Sequence, residues 1–344
     1  MRSHPERSEG SRGHRGILRL TPQNDDKMFA TIDIGTNSCL LLIGEMLPDG
    51  RIRIIADEAR IPRLGEGISE SENLSKTALD RTMAVLEEYQ KLCDKYHVTA
   101  TAAIATEALR CVSNANEFLA NVKEKWGIEI EIATTEREAW LTYLACARDF
   151  GPDILVCDIG GGSTELIWGK PQALDIKPQR GSATLYQFVS MPLGSVVLTE
   201  QFIKSDPITP EEFREISSIT DQHLIQALHS MSHRHPEKMI ATAGTATTIA
   251  AIEKRMTSYQ HDKIHGMILE MLDIQVIIDE LRAKTTSERR KIAGLQKGRE
   301  DIILSGAIIL DRVMRRLGYD MITVSDRGLK WGLFYERFTP RPTH

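Results

Sequence analysis

Asp158 is followed by Gly160, Gly161 and Gly162 and then by Ser163 and Thr164. Apolar runs flank this block, Ile154 to Cys157 before it and Leu166 to Trp168 after it. Consecutive glycines inside a strand would cost chain entropy and pack nothing, so three of them need a reason. Without Cβ atoms the backbone can bend tightly and turn its N–H groups onto an anion. Ser163 and Thr164 add hydroxyl donors. A carboxylate at the strand end repels phosphate directly, but it can hold a hydrated Mg²⁺ that attracts one. The plain alternative is a hairpin turn with an acidic flank, and a single glycine loop does not decide against it.

The pattern occurs twice. Thr31-Ile32-Asp33-Ile34-Gly35-Thr36-Asn37-Ser38 repeats the order of apolar strand, Asp-Ile-Gly, small polar residues and Ser, and apolar residues follow from Cys39 to Ile43. Two such hairpins a domain's length apart predict related halves facing each other across a cleft. Gly35, Thr36, Asn37 and Ser38 would bind phosphate from one wall, and Gly160, Gly161, Gly162 and Ser163 from the other.

These paired loops resemble the phosphate loops of the sugar kinase, actin and chaperone ATPase superfamily. Within it the chain most closely resembles the exopolyphosphatase and guanosine pentaphosphate (pppGpp) phosphohydrolase family, from about Phe29 to about Tyr335. The resemblance implies an α/β fold of two actin-like (ribonuclease H-like) domains with mixed sheets flanked by helices and a cleft between them. Domain I would span 28–138 and domain II 139–327, with a closing helix at 328–340 packed back on domain I. Longer members carry a further helical phosphohydrolase-like domain, whose lack would remove surface for a long polymer.

The implied chemistry is hydrolysis of a phosphoanhydride, which needs a positioned water and charge neutralisation more than covalent help. Glu138 matches the Glu that the family uses to orient that water and take its proton. Thr106-Glu107-Ala108-Leu109-Arg110 is similar to a family block whose Arg faces the phosphates, where a guanidinium can pair bidentately. Glu165 falls at the family's acid after the glycine loop, serving the water or the metal shell. Asp33 and Asp158 would approach Mg²⁺ through water. The reaction implied is Mg²⁺-dependent removal of terminal orthophosphate from polyphosphate. The alternatives are conversion of pppGpp to ppGpp at the same site and an actin-like regulator that binds nucleotide without hydrolysis.

Each residue also has a plainer explanation. Thr135-Glu136-Arg137-Glu138 has the form of a capping box, in which Glu138 merely closes a helix start. Glu165 could be a hairpin-edge carboxylate facing solvent, and Arg110 a surface arginine near a helix start. Arg289-Arg290-Lys291 reads by default as a solvated basic face, with guidance of a polyanion as its functional reading. Leu40, Arg137, Trp140 and Trp331 depart from the family's pattern.

The positioning elements are legible in outline. Leu79, Met83, Leu86, Cys93 and Tyr96 fall on one face of a helix from Ser75 to Tyr96. Val98 to Thr106 reads as a strand, Asn116 to Trp126 as a helix stopped by Gly127, and Pro48-Asp49-Gly50 as a turn. Lys170 to Gln179 reads as a polar connection, and Met239 to Thr242 as a strand running into a Gly-Thr turn and a helix.

With 344 residues, 41% of them apolar and 26% charged, the chain can bury two cores. A net charge of −5 argues against broad capture of nucleic acid. The five cysteines are odd in number and scattered, which predicts reduced thiols and a cytoplasmic protein. No apolar run is long enough to span a membrane. Residues 1–27 are rich in Arg, Ser and Gly and are expected to be a disordered tail. A homodimer is left open.

Overall fold

The computed structural model describes residues 27–339 apart from 48–50, 69–70, 72, 170–185, 230 and 232–234. Residues 1–26 of the tail expected at 1–27, the Pro48-Asp49-Gly50 turn and the connection at 170–179 therefore lie outside the described residues.

The amino-terminal half runs β1 (Met28–Ile34), β2 (Cys39–Met46), β3 (Ile52–Arg60), α1 (Lys76–Lys95), β4 (Ala100–Ala105), α2 (Glu107–Arg110), α3 (Ala115–Trp126) and β5 (Ile130–Ile132). Its five strands lie in the order β3-β2-β1-β4-β5, antiparallel through the β1–β2–β3 meander and parallel from β1 through β4 to β5. Caps set the helix limits. The Ser75 hydroxyl accepts from the Ala78 N–H at 3.2 Å to start α1, and Gly127 in the left-handed region (φ 68°) ends α3.

α4 (Thr135–Phe150) leads into β6 (Ile154–Ile159), β7 (Thr164–Gly169) and β8 (Tyr186–Met191), followed by α5 (Ser195–Phe202), α6 (Pro210–His229) and β9 (Lys238–Thr242). α7 (Ala243–Glu253), α8 (His261–Ile264), β10 (Ile268–Glu270), α9 (Met271–Arg282), α10 (Thr286–Arg289), α11 (Ile303–Leu317), β11 (Met321–Val324) and α12 (Leu329–Phe338) complete the order. The second sheet is β10-β11-β9-β6-β7-β8. Its β8-β7-β6-β9-β11 portion repeats the first sheet in order and strand direction, with β10 added on one edge.

Side-chain alternation places each core. Cys39, Leu41 and Ile43 of β2 pack under α1 and α3, whereas Leu42 points to the opposite face and meets Phe334 and Tyr335 of α12. Phe29 stacks on Phe338 with ring centroids 4.4 Å apart. β6 is buried on both faces: Leu155 and Cys157 belong to the core under α7 and α11, Ile154 and Val156 to the core under α4. That is why Ile154 to Cys157 reads as an unbroken apolar run. The result is two mixed sheets flanked by helices, with the β1–β2 and β6–β7 turns at facing ends. All five cysteines are unpaired, and no described helix is long and apolar enough to cross a membrane.

Candidate active site

The two hairpins close in the same way. The Gly35 N–H donates to the Ser38 carbonyl at 2.9 Å, and the Gly160 N–H to the Ser163 carbonyl at 3.0 Å. Their tips touch: a Cβ on Gly161 would lie 3.1 Å from Thr36 Cβ and 3.4 Å from Asn37 Cβ. One cavity of about 550 Å³ is lined by Gly35, Thr36, Asn37 and Ser38 on one wall, by Gly160, Gly161, Gly162 and Ser163 on the other, and by Asp33, Asp158 and Glu138. Asn37 Nδ2 is buried with no hydrogen-bond partner among the described residues, a donor left for something the cavity would hold.

Gly162 is fixed by contact rather than by backbone angle. A Cβ there would come within 2.7 Å of Glu107 Cγ and 3.1 Å of Thr36 Oγ1. Gly162→Ala should therefore push the loops apart and lower hydrolysis about 10- to 100-fold, since small misplacements of a reacting group cost that much. Thermal unfolding should move by less than about 5 °C. Steady-state kinetics beside a melting curve checks both.

α4 supplies the acid. Its cap is Thr134, whose hydroxyl accepts from the Arg137 N–H at 3.1 Å, so the cap starts one residue before the box suggested by Thr135 to Glu138. Glu138 is thereby released from capping. It is 9% exposed and takes a 3.2 Å bond from Arg110 Nη1. One turn later, on the same face of α4, the Thr142 hydroxyl donates to Asp158 Oδ2 at 3.0 Å. Glu165 sits directly opposite Asp158 across the β6–β7 pair, 2% exposed, and accepts from the Ser190 hydroxyl at 2.7 Å. It faces other carboxylates rather than solvent. In the first hairpin the corresponding place opposite Asp33 is held by Leu40.

Arg110 and Glu165 stand behind the cavity wall rather than in it. The Arg110 guanidinium is occupied by Glu107, Glu138 and the Ala133 carbonyl, an arrangement suited to orienting Glu138. The departures Trp140 and Trp331 are both core residues. Trp140 packs on Tyr143 and Tyr186, and Trp331 lies under the Arg327 guanidinium. Arg137 is held between Glu131 and Glu336.

Residues 43–339 match the Ppx/GppA phosphatase family. The chain belongs to that family. Exopolyphosphatase 2 of Mycobacterium tuberculosis is 30% identical over 319 residues, covering 88% of this chain and 96% of that protein. The bifunctional 3-dehydroquinate synthase/phosphatase of Fusobacterium nucleatum is 31% identical over 327 residues, covering 89% of this chain and 46% of the relative, so the chain spans less than half of that protein. A solved Ppx/GppA family member from Aquifex aeolicus is 33% identical, with a TM-score of 0.73 over 90% of this chain and 97% of its own. Membership places the chain among the phosphoanhydride hydrolases, on the actin-like two-domain fold.

The electrostatics of this Ppx/GppA phosphatase are dominated by crowded acids. Burial, then the charge of Asp158, pushes Asp33 up to about 7, against an opposing pull from Lys330. Burial pushes Asp158 to about 6, opposed by the Thr142 hydrogen bond. Glu165 is raised to about 7 by burial and then by Asp158. Glu138 is held well above the usual carboxylate range by burial, then by Glu165 and Asp158, with Arg110 pulling the other way. Negative charge is thus in excess, and a divalent cation fits the donor set of Asp33 and Asp158. Among the described residues no three His, Cys, Asp or Glu side chains form a ready metal cage.

The sign of the pH effect follows. The native state holds protons on Asp33, Asp158 and Glu165 up to about 6–7, whereas the unfolded chain loses them near about 4. Between those values the folded state binds more protons, so stability falls as pH rises. Metal-free protein should melt at higher temperature at pH 5.5 than at pH 8, and Mg²⁺ should raise the melting temperature more at pH 8. A flat profile across that window would show that these carboxyls are not buried together.

Three residues escaped the sequence reading. Arg299 is 8% exposed and lies in the same cavity, its guanidinium against Gly244, where a Cβ would meet Nη1 at 2.0 Å. Burial lowers it to about 10. Lys330 of α12 and Asp57 of β3, their side chains buried in the cavity wall, pair with each other. Nothing in the local sequence singles these out. The basic segment, by contrast, is no solvated face at Arg289, which is 2% exposed and donates to the Leu281 and Glu300 carbonyls.

Proposed function

We propose that the chain is an exopolyphosphatase that removes terminal orthophosphate from inorganic polyphosphate. The observation that carries this is that Glu138 lines one cavity together with both phosphate-type turns. Backbone N–H groups of Thr36 to Ser38 and of Gly161 to Ser163, with Asn37 Nδ2, bind the terminal phosphate and the next one, while the Gly35 and Gly160 N–H groups close the hairpins. Glu138 holds the attacking water and takes its proton. Arg110 orients Glu138, and Glu165 fixes the charge beside Asp158. Asp33 and Asp158 would hold Mg²⁺, which neutralises phosphate charge when bound. The product leaves as orthophosphate and the shortened chain re-enters or departs.

A second reading has its own support. The same cavity is lined also by Gly244, Met256, Tyr259, Leu295 and Arg299, residues that a nucleoside would use and a linear polyphosphate need not. On that reading the substrate is pppGpp and the product ppGpp. Orthophosphate release from polyphosphate and from pppGpp, measured side by side with Mg²⁺, separates the two. Nucleotide binding with no release from either substrate would leave only a non-hydrolytic regulator.

A further inference from the structure

We infer that Arg63 is a positioning residue that holds the two walls of the cleft at their working separation through its bond to Asp301. The kinetic part of this inference rests on the hydrolase reading above; the structural part does not.

After β3 the chain passes directly beneath the first phosphate turn. The Arg63 N–H donates to the Asn37 carbonyl at 3.0 Å and the Gly65 N–H to the Thr36 carbonyl at 2.8 Å. A Cβ on Gly65 would meet Thr36 Cγ2 at 2.3 Å, so the fit is close. Arg63 itself lies in the left-handed region (φ 54°), which a non-glycine residue occupies only where its surroundings hold it. Arg81 of α1 supplies part of that hold, donating to the Pro62 carbonyl at 2.6 Å and the Arg63 carbonyl at 3.2 Å. The backbone of Arg63 must therefore move with the first turn.

Its side chain reaches the other half of the molecule. Nη1 and Nη2 donate to the two oxygens of Asp301 at 2.7 and 2.8 Å, and Nη2 also donates to the Gly298 carbonyl at 3.0 Å. That segment carries Arg299 into the cavity. Nearby, the Gly67 N–H donates to Glu200 Oε1 on α5, and α5 begins with Ser195 and Val196 N–H groups bonded to the Gly160 and Gly161 carbonyls. One loop thus links the first turn to the second turn and to the Arg299 segment. A two-pronged guanidinium bond with a third contact fixes distance and angle together, which a single ammonium does not. Two walls gripping one phosphoryl group need that separation held to a fraction of an ångström.

The test uses the full chain as Arg63→Glu, Asp301→Arg and the combined exchange, with Arg63→Lys as the conservative variant. Small-angle scattering without substrate reads the separation of the halves, and steady-state hydrolysis reads its consequence. Arg63→Glu should enlarge the radius of gyration and lower kcat about 10- to 100-fold with KM changed less than about threefold. Arg63→Lys should fall between it and the parent. The combined exchange should restore part of both the radius and kcat, since the pair would re-form with reversed charge but without the contact to the Gly298 carbonyl. An unchanged radius and kcat in Arg63→Glu would overturn the inference, as would a combined exchange no better than Arg63→Glu alone. If the parent chain hydrolyses neither substrate, the hydrolase reading falls while scattering still decides the Arg63 bond.

Discussion

Glu138→Gln should reduce orthophosphate release by about 10²- to 10⁴-fold, the range for losing a positioned general base. The substitution keeps the size of the side chain and an oxygen that can still accept from Arg110. What it removes is the capacity to take a proton from water. Affinity for polyphosphate should stay within about threefold, because binding rests on the backbone N–H groups of the two turns. A variant that turns over normally would reduce Glu138 to a packed acid at the start of α4. The parent's rate should climb as pH rises, since burial and the charges of Glu165 and Asp158 hold the Glu138 carboxyl well above its usual range. The residual rate of the Gln variant should keep only the part of that climb that Asp33 and Asp158 impose through the metal.

Asp158→Asn should move activity and stability in opposite directions. The rate should drop about 100-fold or more and the Mg²⁺ titration shift to higher concentration, because a carboxylate for the ion is gone. Metal-free protein should nonetheless melt about 2–4 °C higher at pH 8, because a buried charge that raises Asp33 and Glu165 has been removed. The amide oxygen can still accept from Thr142, so the strand end keeps its anchor. A misfolded variant would lose activity and stability together, which separates the two causes. An unchanged metal titration would take Asp158 out of the metal shell.

The parts of this site that could be read from the chain are those marked by punctuation. Glycines and an acid between two apolar runs admit few structures, so Asp33 to Ser38 and Asp158 to Ser163 were legible, as were α1 and α3 from Ser75 and Gly127. Where two neighbours have the same chemistry, spacing misleads. Thr134 and Thr135 can both cap, and choosing the second assigns Glu138 a capping duty from which the Thr134 cap releases it. Tertiary facts were not legible at all. Nothing beside Arg299 says that it is buried against Gly244, and nothing beside Trp140 says that it turns to Tyr186 and away from the cleft.

The last helix has a consequence for the order in which the molecule is made. α12 covers the face of the first sheet that Phe29 and Leu42 present, and the Lys330 carbonyl takes the Thr31 hydroxyl at 2.9 Å. Those partners are translated at opposite ends of the chain. At roughly 5–20 residues per second a ribosome needs on the order of 15–60 s between them. Through that interval Phe29 and Leu42 lack the cover that α12 gives them, so the first sheet cannot complete its core until roughly 300 further residues have been made.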